Sequence, residues 1–191
     1  MVGDIGMKHL APVTSLTTLS LVRCKVSDTG AVSIGALTKL VVLDMTGNPI
    51  TATSGKSLAK LTALTSLTLA NTKFGDKGLE DTAAKLRELT SLDISATLCG
   101  DSVGKVTAFT KLTTLNASGT RVTDKVIKQI GGMKQLTSLN VSQSPITNAS
   151  FDVLKNMADL TFLDVTGTRM NIIRIRELHM ALPYCQVLPA V

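Results

Sequence analysis

Few side chains in this 191-residue chain have the chemistry to transform a substrate, and their spacing works against it. Three carboxylates, Asp44, Asp93 and Asp164, invite comparison with the paired acids of hydrolases. The two histidines, His9 and His179, join none of them, since both fall on helical stretches expected in an outer layer, and the cysteines Cys24, Cys99 and Cys185 form no Cys-x-x-Cys. With no His, Cys or carboxylate at metal-ligand spacing, neither a metal nor a cofactor is expected. Four cations, Lys25, Lys73, Arg121 and Arg169, follow one another at steps of 48 residues. A row of that kind suits an acidic or phosphorylated segment. Asn116, Asn140 and Asn148 begin Asn-x-Ser triplets, which a chain rich in Asn, Ser and Thr also makes by chance.

The elements that position these groups follow from a repeat. Leu-x-x-Leu-x-Leu begins at Leu16, Leu19 and Leu21 and returns at Leu40, Leu43 and Met45. It recurs through Leu67, Leu92, Leu115, Leu139 and Leu163, and a last time as Leu182, Cys185 and Val187. Between middle residues the steps are 24, 24, 25, 23, 24, 24 and 22. Three residues after each unit stands a small residue: Cys24, Asn48, Thr72, Thr97, Thr120, Ser144 or Thr168. Next come an apolar residue and then, in most repeats, a cap-like Asp28, Asp76, Asp101, Asp124 or Asn148. The apolar stripe that follows, such as Val126, Ile130 and Met133, has helical spacing.

Each unit therefore predicts a short strand, a tight corner, a helix and a return loop. One such unit has nothing to bury its leucines against, so the units must stack. Composition agrees: 44% of residues are apolar but only 3% aromatic, which calls for a regular aliphatic core. The predicted organisation is a single domain over 1–191, with a partial repeat at 1–15, seven repeats at 16–181 and a terminal strand and tail at 182–191. Val2, Asp4, Gly6 and Leu10 keep the register of Val26, Asp28, Gly30 and Ile34. The opening half-repeat is either a cap on the first strand or the end of a longer solenoid, and the apolar Val2 favours the second.

The run Leu136-Thr137-Ser138-Leu139-Asn140-Val141, followed by Ser144 and Ile146, resembles a leucine-rich repeat. The 24-residue step, the Thr corner and Val122-Thr123-Asp124 are similar to the ribonuclease-inhibitor-like and cysteine-containing subtypes. The resemblance implies an α/β fold, a right-handed solenoid shaped as a horseshoe arc. About eight parallel strands line its concave side and helices cover the convex side. It implies little about the ligand, because this framework carries unrelated binding functions.

Strand alternation places Ser20, Asp44, Thr68, Asp93, Asn116, Asn140, Asp164 and Gln186 on the concave face. Phe162 and Tyr184 supply the large side chains at the C-terminal end, where aromatic anchors would concentrate binding energy. Asp44, Thr68, Asp93, Asn116, Asn140, Phe162, Asp164, Tyr184 and Gln186 are thus the expected contacts to a partner protein. Lys25, Lys73, Arg121 and Arg169 would line one rim. The corner Thr residues are expected to bond the backbone of adjacent turns, and a second row, Thr17, Thr65, Thr90, Thr113, Thr137 and Thr161, opens the strands.

No enzyme is expected, because a shallow face cannot exclude water around Asp44 and Asp93. The expected function is non-catalytic protein recognition, with a structural or assembly segment docking by its edges as the alternative. Despite a net charge of +6, nucleic acid is not an expected partner, since the face lacks rows of stacking aromatics. The absence of a long apolar run argues against a membrane. The cysteines sit at least three repeats apart, too far for disulfides. Buried, reduced thiols and no leader sequence point to an intracellular, cytoplasmic setting.

Overall fold

The computed structural model describes residues 2–190. Eight strands of three residues each form one sheet in chain order: β1 (Thr18–Ser20), β2 (Val42–Asp44), β3 (Ser66–Thr68), β4 (Ser91–Asp93), β5 (Thr114–Asn116), β6 (Ser138–Asn140), β7 (Phe162–Asp164) and β8 (Gln186–Leu188). Every neighbouring pair is parallel, and Leu19, Leu43, Leu67, Leu92, Leu115, Leu139 and Leu163 stand side by side. From Leu43 to Leu163 these residues are at most 1% exposed and belong to one continuous core. The fold is the anticipated leucine-rich-repeat solenoid.

The last strand corrects the reading of the repeat. Val187, not Cys185, pairs with Leu163, so the final step is 24 residues and not 22. Cys185 N–H donates to Leu182 C=O as Leu160 N–H does to Met157 C=O, and the return loop is one residue shorter. Gln186 therefore stands beside Phe162, and Leu188 occupies the place of Asp164.

Helices cover the other side: α1 (Gly3–Leu10), α2 (Asp28–Ile34), α3 (Gly55–Leu58), α4 (Asp76–Ala83), α5 (Asp124–Ile130), α6 (Phe151–Leu154) and α7 (Ile172–Ala181). Between them the backbone winds into 3₁₀ turns at Ala52–Ser54 and Asn148–Ser150, and into a 3₁₀ helix at Asp101–Ala108. Regular and tightened turns thus alternate. Strands pack about 4.7–4.9 Å apart, whereas helix axes need 8–10 Å. A narrower 3₁₀ turn in every second repeat relieves part of that crowding. At one junction the crowding is met by two glycines: a Cβ on Gly55 would lie 2.6 Å from Gly78 Cα.

The aspartates at the helix starts do not cap their own helices. Asp28 accepts from the N–H of Thr51 (2.8 Å), the hydroxyl of Thr51 (2.7 Å) and the hydroxyl of Ser54, all in the next repeat. Thr51 Oγ1 in turn accepts from Thr53 N–H, so the hydroxyl caps the second helix while donating to the first. Asp124 serves Thr147 and Ser150 in the same way, and Asp4 serves Ser27 and Gly30. Asp76 accepts from Gly100 N–H and from the hydroxyl of Ser102. Asp101 makes no such relay; it forms an exposed ion pair with Lys125.

The Thr rows also divide differently from expectation. Thr72, Thr97, Thr120 and Thr168 donate to carbonyls three residues back, within their own turn. Only Asn48 and, weakly, Ser144 reach across: Asn48 donates to Leu21 C=O and accepts from Val26 N–H. Inter-turn bonding belongs to the other row, in which Thr65, Thr90, Thr113, Thr137 and Thr161 donate to the preceding repeat.

Two outcomes follow. Ala in place of Leu67, Leu92 or Leu139 should cost roughly 2–5 kcal/mol in denaturant unfolding. Ala at Asp28 or Asp124 should cost roughly 1–3 kcal/mol, with Asp101→Ala nearly neutral. Burial raises the Asp28 and Asp124 carboxyls, but hydroxyl and N–H donors outweigh it and hold both below 3.8. Their contribution is therefore complete above that value and fades as pH falls through the lower folded one. An acid titration should show D28A and D124A losing less stability below pH 4 than the parent chain.

Candidate functional site

Alternation turns the first and third residues of each strand, and the second residue beyond it, to the concave face, and the sheet holds each row in register. The middle row contains the expected Asp44, Thr68, Asp93, Asn116, Asn140 and Asp164. These acids and amides are not loose. Asp44 accepts from Thr46 N–H (2.8 Å), Asp93 from Ser95 N–H (2.8 Å) and Asp164 from Thr166 N–H (2.8 Å). Asn116 and Asn140 do the same with Ser118 and Ser142. Each closes the end of its strand with one oxygen, the local bond that Asp and Asn favour where a chain turns.

What remains for a ligand is the outer edge of each side chain. Asp93 Oδ2 accepts from Asn116 Nδ2 at 3.0 Å, tying β4 to β5. Asn148 Oδ1 is likewise engaged, accepting from Asn171 N–H. The strand positions on the concave face include three aspartates and no cation, an acidic surface on a chain of net charge +6.

A shallow trough of about 330 Å³ crosses β3 to β7. It brings together Thr68, Asp93, Asn116, Asn140 and Phe162 of the expected set. Asp44 and Asp164 lie on the face beyond its lining. The row that begins each strand contributes as well: Ser91, Thr114 and Ser138 line the trough beside Phe162. The same two-residue alternation that marked the middle row points to them.

Tyr184 does not join this surface as expected. It precedes β8 and is 94% exposed, beside a separate hollow formed with Ala158, Leu160 and Pro183. Gln186, displaced by the corrected register, neighbours Phe162 instead of extending the aspartate row. His9 and His179 sit on α1 and α7, and His179 Nε2 lies 3.1 Å from Pro189 O. Among the described residues no cluster of His, Cys, Asp and Glu could hold a metal.

The rim cations Lys25, Lys73, Arg121 and Arg169 are all exposed and form no ion pair among the described residues. Their backbone is fixed, since Lys73, Arg121 and Arg169 N–H groups donate to Ile50, Cys99 and Ile146 in the preceding turn. Lys25 and Lys73 flank an open hollow of about 630 Å³ that includes Asn48, Pro49 and Asn71. The positive charge is partly answered: Arg121 helps keep the Asp76 carboxyl low, after burial and the Ser102 hydroxyl have set its balance.

The corners beneath this rim share one backbone conformation. Arg23, Gly47, Asn71, Ala96, Gly119, Gln143 and Gly167 all have positive φ, between 52 and 69°. Gly at three of these places, one repeat-multiple apart, was the available signal.

The thiols differ in environment. Cys99 is fully buried, and burial pushes its thiol up to about 11 against the opposing bond from Thr97. Cys24 and Cys185 are only half-buried, contrary to expectation, because the stack covers its terminal turns less completely. Cys99 should resist a thiol reagent in the folded chain and react once denaturant unfolds it.

Residues 14–74 match the family model for leucine rich repeats. No curated protein matches the chain. Among solved structures, an internalin from Listeria monocytogenes is similar over 95% of this chain, with 26% identity and a TM-score of 0.79. This chain spans about half of that protein, 51% of its length. Internalin C2 from the same organism is similar over 96% of this chain and 80% of its own, with 21% identity and a TM-score of 0.73. A TDR receptor shares the fold at 15% identity and a TM-score of 0.62, over 94% of this chain and 36% of its own.

Proposed function

We propose, for a chain that is a leucine-rich-repeat solenoid, that it works as a non-catalytic recognition module binding a protein segment on its concave face. The observation that carries this reading is the trough across β3 to β7, a rigid polar face with one aromatic at its end. Its polar groups are held in place by strand-closing hydrogen bonds, so a partner meets a surface that loses little freedom on binding. Phe162 supplies apolar area, and Asp44, Asp93 and Asp164 supply negative charge without a balancing cation. The partner segment best matched is extended and carries Lys or Arg, whose charge gains from Asp93 and from the ring of Phe162.

The test uses extended peptides bearing Lys and Arg, against the same peptides with Asp and Glu, in calorimetric titrations. Basic peptides should bind, and F162A with D93N and D164N should weaken them roughly tenfold or more. The Asn variants keep the strand-closing acceptor, as Asn116 and Asn140 do, so the melting temperature should hold. Undiminished binding by the triple variant would overturn the concave reading.

The exposed Lys25 and Lys73 support a second reading, in which an acidic or phosphorylated segment docks on the rim. Acidic peptides that bind, weaken steeply with salt and are lost in K25E/K73E would carry it in place of the first.

A further inference from the structure

The rim is patterned as well as charged. Lys25, Lys73, Arg121 and Arg169 are exposed and occupy the same place in every second turn. The turns between them put Pro49, Leu98 and Pro145 there. Leu98 is 47% exposed, Pro49 is exposed and Pro145 is half-buried. Cation and apolar residue therefore alternate from Lys25 to Arg169.

The backbone fixes the spacing of this row. Beyond the sheet, Thr51 pairs with Lys73, Gly75 with Leu98 and Thr147 with Arg169 as parallel bridges. The N–H groups of Lys73, Leu98, Arg121 and Arg169 each donate to the turn before. Neighbouring turns on the rim thus sit one strand spacing apart, and neighbouring cations two, about 9.4–9.8 Å. Because those N–H groups are spent along the stack, a ligand meets side chains and not an open backbone edge. Asp76, the carboxylate that acts on Arg121, is itself held by Gly100 N–H and the Ser102 hydroxyl.

The spacing selects a chain conformation. A polyproline II helix brings every third side chain back to one face after about 9.3 Å. A β-strand repeats its face at about 6.6 Å and about 13 Å, and misses the cations on both sides. An α-helix repeats its face after two turns, about 10.8 Å, and slips by about 1 Å at each cation. Polyproline II alone stays in step with the row.

We propose that the rim docks a proline-rich acidic segment of a partner protein, held as polyproline II with a carboxylate at every third position. The proposal rests on the rim reading given above and adds to it the spacing and conformation of the ligand. Its carboxylates meet Lys25, Lys73, Arg121 and Arg169, and the prolines between them pass over Pro49, Leu98 and Pro145. Such a segment has no internal hydrogen bonds to break and little freedom to lose on binding. None of these rim residues lines the trough, so the two surfaces are separate.

Fluorescence anisotropy of a labelled peptide of repeated Glu-Pro-Pro, long enough to reach from Lys25 to Arg169, is the test. Its control has the same composition with the glutamates clustered. The in-step peptide should bind roughly tenfold or more tightly than the clustered one. Arg121→Glu and Arg169→Glu should each remove most of that advantage and leave the melting temperature unchanged. Lys134→Glu, an equal change of charge in the return loop before β6, should keep it. Equal binding of both peptides, lost in R121E and R169E, would leave the rim reading standing and overturn the spacing. Binding of neither peptide overturns both. A preference that survives R121E and R169E together overturns the docking row, as does a single-stranded oligonucleotide that binds more tightly than the in-step peptide.

Discussion

Two widths that do not match govern this molecule. Parallel strands settle less than 5 Å apart, and helices cannot come so close. A stack that shares one core must reconcile the two at every turn. It does so by alternating: regular helices at α2, α4 and α5 are followed by turns that begin or remain 3₁₀. The aspartates follow the same rhythm, since Asp28, Asp76 and Asp124 each reach from a regular helix into the tightened turn after it. The rim cations repeat with that two-turn period too. The functional unit of packing is therefore a pair of turns, with the carboxylate relay as its internal weld.

The framework was legible in the sequence because burial imposes it directly. Leu40, Leu43 and their successors occupy a core that tolerates no polar substitute, and the parallel sheet follows from their equal steps. Reading failed where a residue type serves several roles. Asp28 before an apolar stripe has the sequence signature of a cap, yet its oxygens are spent on Thr51 and Ser54 in the next repeat. Thr72 looks like a rung between turns and instead satisfies Leu69 C=O in its own. The last strand was misplaced by two residues because Leu182 and Cys185 mimic the motif, while the hydrogen-bonding register obeys Val187.

The candidate site was half legible for a related reason. Sequence alternation identifies which residues face the concave side, and Thr68, Asp93, Asn116, Asn140 and Phe162 do meet in one trough. It does not reveal that the acids and amides already hold backbone N–H groups. That fixes their orientation and turns a row of polar side chains into a preorganised surface. Tyr184 shows the opposite failure: an aromatic near the right strand in sequence lies off the face, because β8 begins at Gln186, two residues beyond where the motif places it, and leaves Tyr184 in the return loop.

Native-state hydrogen exchange on the full chain tests the shared core most directly. If each turn is held by its neighbours, the strand amides of Leu67, Leu92, Leu115 and Leu139 exchange last and together, through a single global opening. Separate exchange of individual repeats, or helix amides that outlast the central strands, would contradict a stack built around one continuous interior.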